Sequence, residues 1–332
     1  MFKLIINEWQ KVFSRKSNII IMLFIVGVAA LLSFMPLIFV NEQATDTSTY
    51  DEDWQSEASQ QIAALQEETD DIFMQDTSET EMSFTDSLTV SLNETEIERL
   101  SYHLDEGIEP PAVNNFYSSL VEASSLNALI GIVLTIIASA MVSKEFAMGT
   151  IKLLLIRTQS RSKILTSKYI TTLLFAFFYY GLLYLSTALF ALFTTEMNPT
   201  SDYVFMTMNG GYDHAPFVSY FGGLVASNLI YLVIIATLAF MLSTVTRNTS
   251  ISLGTTLGVI FLGSGVTQFL ASKTDLAKYL LTANWSLENY LPGRMVPIEG
   301  LTLPFSLSIN VVYVGLFIGL AYHLFNKQDI LS

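Results

Sequence analysis

The chain has 332 residues, 51% of them hydrophobic and only 14% charged, with a formal net charge of −14. A soluble domain usually carries about 25% charged residues. The absence of cysteine excludes a disulfide framework, a thiol nucleophile and a thiolate metal site.

The charges are clustered. Residues 17–41, 123–143, 169–195, 214–246, 248–272 and 300–326 contain no Asp, Glu, Lys or Arg. Each run exceeds the roughly 20 residues a helix needs to cross about 30 Å of hydrocarbon. Six transmembrane helices are predicted, at 17–41, 120–143, 169–195, 217–246, 250–272 and 304–325. The expected fold is an all-α polytopic membrane protein with an amphipathic N-terminal interfacial helix. An extracellular helical insertion lies between membrane helices 1 and 2.

In chain order, residues 1–16 come first. Phe2, Ile5, Ile6, Trp9, Val12 and Phe13 share one helical face, and Lys3, Asn7, Glu8, Gln10, Lys11 and Arg15 take the other. Such a helix lies in the membrane interface, with Ile5, Trp9, Val12 and Phe13 inserted and Trp9 at headgroup depth. The apolar stretch after it, Ile19–Val40, outruns the 7–15 residues of a signal h-region, and no small-residue cleavage site follows. It is read as a retained first helix.

Residues 42–119 are the sizeable polar insertion, with twenty acids and one base, Arg99. Two helices are predicted there. Trp54, Ala58, Ile62, Leu65 and Ile72 form one stripe; Ile97, Leu100 and Leu104 form another, opened by a capping box at Ser91 and Glu94. Pro110 and Pro111 stop the second helix. The acids are read as a solvated outer surface, with recruitment of a cationic substrate as the alternative.

Further on, 144–168 is a basic loop, 196–216 an outer loop, 247–249 a turn and 326–332 a tail. Residues 273–303 carry Leu276, Tyr279, Leu280, Trp285 and Tyr290, which suits a segment dipping into the outer interface. Periodicity leaves its re-entrance open. Gly254 and Gly258, and likewise Gly315 and Gly319, stand four apart and permit close helix packing, between subunits or within one. Asn127, Asn228, Gln268 and Asn310 are read as interhelical hydrogen bonds, with a polar path as the alternative. No chain of Asp, Glu or His at mid-depth supports ion coupling inside the spans.

Six spans put both termini on one side. That side carries 12 of the 16 basic residues and three of the 30 acids, so the positive-inside rule assigns it to the cytosol of the plasma membrane. No Gly-Lys dipeptide of a P-loop, no HExxH and no GxSxG occurs. Neither catalytic nor metal residues are expected, and any uphill transport needs another chain to supply the free energy.

The 144–168 loop has an internal order beyond its charge. It reads "KEFAMGTIKLLLIRTQSRSKILTSK". It resembles the loop after the second membrane helix in type-2 ABC transporter permeases. Those proteins show a Glu, then Gly-Thr-Ile or Gly-Thr-Leu, a Leu pair, Arg-Pro-x-Ser-Arg, and a Lys opening the third helix. Thr158 departs from the family's Pro. The topology of the whole chain is similar too.

The resemblance implies a transport subunit, not an enzyme, that exports an antimicrobial peptide, drug or lipid. It implies a partner dimer of cytosolic ABC ATPase subunits, and a second permease subunit, identical or homologous, in the lipid bilayer. No cofactor is implied in this chain, because ATP and magnesium belong to the ATPase, and no nucleic acid is involved. It also implies a coupling helix here, with Glu145, Gly149, Thr150, Ile151, Leu154, Leu155, Arg157 and Arg161 as coupling residues. Glu145 is expected to bond to a loop amide or to an arginine. Lys144 and Lys168, beside the spans, are read as topological charges only. The competing expectations are a membrane sensor or scaffold with an acidic ligand-binding domain, and an ATPase-independent channel or carrier.

Overall fold

A computed structural model describes residues 1–39, 53–75, 83–111, 115–150, 160–195, 197, 202–207 and 210–327. Six helices are long and apolar enough to cross a membrane, and the chain is an all-α polytopic membrane protein. α1 (Phe2–Phe13) leads into α2 (Lys16–Phe39). The insertion holds α3 (Trp54–Gln75) and α4 (Phe84–Glu106). A short α5 (Phe116–Glu122) and one 3₁₀ turn run into α6 (Asn127–Ala147). α7 (Arg161–Thr194), α8 (Phe217–Thr246), α9 (Thr249–Ala271) and the final α11 (Leu303–Lys327) complete the spans. A one-turn α10 (Leu281–Asn284) lies between the last two.

α8 is central, packing on α6, α7, α9 and α11, while α2 packs on α7. Hydroxyls tie the helices together near the end that carries Glu145. Ser243 Oγ donates to Ser139 O at 2.7 Å, and Ser252 Oγ donates to Ala239 O at 2.9 Å. In an apolar surround a hydroxyl without a partner is costly, so each such bond fixes a register between two helices.

Each predicted span overlaps a described helix long and apolar enough to cross a membrane, with two shifts near the basic loop. α6 continues to Ala147, and α7 begins at Arg161 rather than 169. Ser160 caps α7, its side chain accepting from Lys163 N at 3.4 Å, and the first turns of α7 bury Ile164, Leu165 and Lys168. The charge-free run 169–195 begins just after Lys168 in the sequence, which is why the span is predicted to start there. In the fold that charge is buried inside the helix packing.

At the opposite end, α3 and α4 pair through Ala58 and Leu100, flanked by Trp54, Ile62, Leu65 and Leu104. The predicted stripes therefore meet. The predicted capping box does not: Ser83 caps α4, accepting from Thr85 N at 3.2 Å, and Ser91 lies inside the helix. Gly107, in the left-handed conformation at φ 66°, ends α4 ahead of the prolines. Within the predicted outer loop, β1 (Asp202–Met206) and β2 (Tyr212–Pro216) form an antiparallel hairpin that periodicity does not indicate. It seats Tyr203 on Tyr220 of α8, with rings 4.5 Å apart, and Tyr212 donates to Thr95 O of α4 at 3.1 Å.

The 273–303 segment folds back against α8, α9 and α11, the arrangement a re-entrant segment would have. Trp285 packs edge-on against Tyr231, fourteen residues into α8, at 5.5 Å. A Cβ on Gly263 would lie 2.4 Å from Thr282 Cγ2, and Gly263 is eight residues, about 12 Å, below the end of α9. Non-helical backbone at that depth must find partners within the protein. Asn284 Nδ2 donates to Lys278 O and Leu280 O at 2.8 and 2.7 Å, and Asn310 Nδ2 of α11 donates to Asn284 O at 2.7 Å.

Candidate functional site

The site is built from the N-terminal helix and the two feet of the basic loop. α1 is held against α7 by Trp9, whose indole stacks on Phe175 at 4.2 Å and 7°, with Phe178 edge-on at 5.5 Å. Trp9 is thus packed at the contact of α1 with α7. Ile5 is half-buried, Val12 is buried, and Phe13 keeps an exposed face with one edge on Phe178 at 5.8 Å.

This docking turns Glu8 inward. The amphipathic pattern assigns Glu8 to the polar face, yet its side chain is buried and accepts from Lys168 Nζ at 2.7 Å. Lys168 is 1% exposed and also lies 3.3 Å from Glu145 Oε1. Lys11 pairs with the same Glu145 oxygen, and Thr150 Oγ1 donates to Oε2. Two carboxylates and two ammonium groups therefore balance to zero. They link α1, the end of α6, the start of α7 and the first residue after Gly149.

Among the described residues the partners of Glu145 are Lys11, Lys168 and Thr150, while the amides of 151–159 and Arg157, where the expected partner would be sought, lie outside them. The topological reading of Lys168 is corrected, because a side chain this buried is held by its ion pairs. Sequence reasoning missed Glu8, Lys11 and Lys168. The available signal was that Ile5, Glu8 and Val12 fall at i, i+3 and i+7, which puts Glu8 on the inserted stripe.

Gly149 closes α6 in the left-handed conformation at φ 67°, its N–H donating to Phe146 O at 3.1 Å. Among the described residues nothing stands within 4 Å of a Cβ placed there, and it is the left-handed conformation that favours glycine. Ile151, Leu154, Leu155 and Arg157 lie outside the described residues. Arg161 donates from Nη1 to Asn326 O at 3.3 Å, beside Ser162 Oγ, which is 3.4 Å from Asn326 Oδ1. The second foot of the loop is therefore tied to the end of α11. The Arg247 guanidinium sits 5.0 Å over the Phe146 ring, joining the α8–α9 turn to the first foot.

Gly254, Gly258, Gly315 and Gly319 make no close helix approach among the described residues. A Cβ at any of the four would meet nothing within 4 Å. The close approaches are at Gly223, Gly263 and Gly293, all against the re-entrant segment or the hairpin.

A family profile described as "Protein of unknown function (DUF2705)" matches residues 81–331, which include Glu145 and Lys168 but not Glu8. The chain is 31% identical over 334 residues to "Uncharacterized protein YhcI" of Bacillus subtilis (strain 168), covering 99% of each. It is 28% identical over 217 residues to "Uncharacterized membrane protein YdbK" of the same strain, covering 65% of this chain and 84% of that one. By this match over most of its length, the chain belongs to the DUF2705 family.

Proposed function

We propose that the chain is the membrane-spanning permease subunit of an ABC exporter in the plasma membrane, with both termini cytosolic. In this reading a separate ATPase dimer pushes on the 144–168 stretch. The observation that carries it is the buried Glu8–Lys168–Glu145 network, joined at its edge by half-buried Lys11, added to the order of residues in the loop. A lever needs a stiff mounting. Force applied at Gly149–Arg161 meets α6 and α7 clamped to each other and to α1 through charges that are costly to separate in a low-dielectric surround. The displacement would then pass into two membrane helices together instead of being absorbed by one fraying end.

Affinity purification of the tagged chain from its own cells tests this. A P-loop ATPase should co-purify in stoichiometric amount, and a catalytically dead version of that ATPase should abolish transport. Full transport activity in purified chain without any nucleotide-hydrolysing partner would overturn the proposal.

A further inference from the structure

A second feature adjoins residues 285–294 of the re-entrant segment. A cavity of about 450 Å³ opens between the start of α6, α8, α9 and residues 285–294. Its wall mixes polar and apolar groups: Ser124, Asn127, Ser227 and Ser264 line it beside the helices, and Glu288 and Arg294 stand 3.6 Å apart in the outer segment. Trp285, Ile260 and Phe261 supply the apolar part. Phe261 and Ser264 are exposed on α9, as Ser125 and Ala128 are on the α6 side, so the cavity opens sideways between two spans.

The polar lining is incompletely satisfied. Asn127 donates from Nδ2 to Asn228 Oδ1 at 2.9 Å, and both residues are buried. Among the described residues Asn127 Oδ1 has no partner, whereas Asn228 Nδ2 lies beside the hydroxyls of Tyr180 and Tyr184, which accept from it. The orientation follows from Asn228, whose Nδ2 turns to the tyrosine oxygens as a donor, so the atom left over on Asn127 is the acceptor Oδ1. A buried acceptor left empty costs about 1–3 kcal/mol. Such a cost at the lining of a roomy lateral cavity points to a ligand group that donates a hydrogen bond.

We propose that this cavity binds the headgroup of a bilayer amphiphile that carries N–H or O–H donors, taken laterally between α6 and α9. The donor reaches Asn127, the serines complete its shell, and the Glu288–Arg294 pair at the rim meets a zwitterion or an anion. The amphiphile's apolar chains stay in the bilayer beside Phe261. This deepens the permease reading by naming a cargo class. Binding itself is read on the isolated chain, so its failure and the failure of ATPase coupling are distinguishable.

The test is native mass spectrometry of the purified chain released from nanodiscs of phosphatidylcholine containing equal minor fractions of phosphatidylethanolamine and phosphatidylglycerol. The ammonium and the glycerol hydroxyls are donors; the choline headgroup has none. Retained lipid should be enriched about fivefold or more in one or both donor lipids over phosphatidylcholine. Asn127→Leu should remove that preference. Ser264→Phe, at an exposed position that does not threaten the fold, should reduce retained lipid by filling the cavity. Equal retention of all three lipids, or a preference unmoved by Ser264→Phe, would overturn the proposal. Displacement of the lipid by an equal concentration of soluble glycerophosphoethanolamine would overturn the lipid assignment.

Discussion

Lys168 Nζ lies 2.7 Å from Glu8 Oε2 across 160 positions of sequence, with both side chains buried. Removing one member of such a pair leaves an uncompensated buried charge, which costs about 3–5 kcal/mol. Lys168→Met leaves Glu8 and Glu145 with Lys11 alone, and is expected to destabilise by that amount. Glu8→Gln alone removes the other side of the contact. The double variant should be less destabilised than the sum of the singles, with a coupling of about 1–3 kcal/mol. Thermal or denaturant unfolding in detergent, followed by tryptophan fluorescence, reads it out. Strict additivity would mean that the two groups do not meet.

The same pair marks what was legible in the sequence. Span positions could be read because a charge-free apolar run of more than about 20 residues matches the thickness of a bilayer and exceeds what a soluble core helix needs. The α3–α4 pairing could be read because Ala58 and Leu100 sit on clean apolar stripes. The Glu8–Lys168 contact could not, because each residue looks like ordinary interfacial polarity until α1 is laid on α7. The hairpin was missed because Asp202–Met206 and Tyr212–Pro216 are five residues each and pair only with each other. The polar cavity was missed for a related reason. Asn127 and Asn228 are each a plain interhelical amide in sequence, and only the re-entrant Trp285 beside them makes a chamber.

Gly149 and Arg161 bracket the proposed lever, and they separate mounting from transmission. Gly149→Trp puts a large side chain where φ is 67°, a conformation that costs a residue with a Cβ about 1–2 kcal/mol. Arg161→Glu loses the bond to Asn326 O and reverses the charge at the mouth of the loop. Both positions lie at the ends of spans, so insertion and expression should persist while substrate-stimulated ATP hydrolysis by the partner falls. Protease protection checks insertion, and phosphate release checks coupling. Unchanged stimulation in both variants would remove the lever role.

Two glycines of the same helix should behave oppositely. In Gly263→Ala the added carbon meets Thr282 Cγ2 at 2.4 Å, so the re-entrant segment must shift, at a cost of about 1–3 kcal/mol. In Gly258→Ala the carbon enters open space, and the helix gains about 0.5–1 kcal/mol from lost backbone freedom in the unfolded chain. Unfolding of the two variants in dilute detergent, where subunit contacts are minimised, compares them. Equal responses would show that Thr282 does not sit against α9.

His103 gives the insertion a pH dependence of predictable sign. Its ring is buried, and Nδ1 donates to Ile108 O at 2.9 Å, which fixes a neutral tautomer with Nε2 unprotonated. Burial lowers its pKa from 6.5 to about 4; Arg99 pushes the same way, while the Ile108 bond and Glu96 oppose. Between those two values the unfolded segment binds a proton that the folded one does not. Stability of the α3–α4 pair is therefore fully present above pH 6.5 and declines as pH falls towards 4. The many carboxylates of the insertion titrate in the lower part of that window, so the informative quantity is a difference between two chains. His103→Gln removes the titrating ring and should flatten the decline between pH 6.5 and about 5, before the carboxylates contribute. Limited proteolysis of the insertion across that range measures it. Parallel curves for the parent and the variant would mean that the ring is not held neutral.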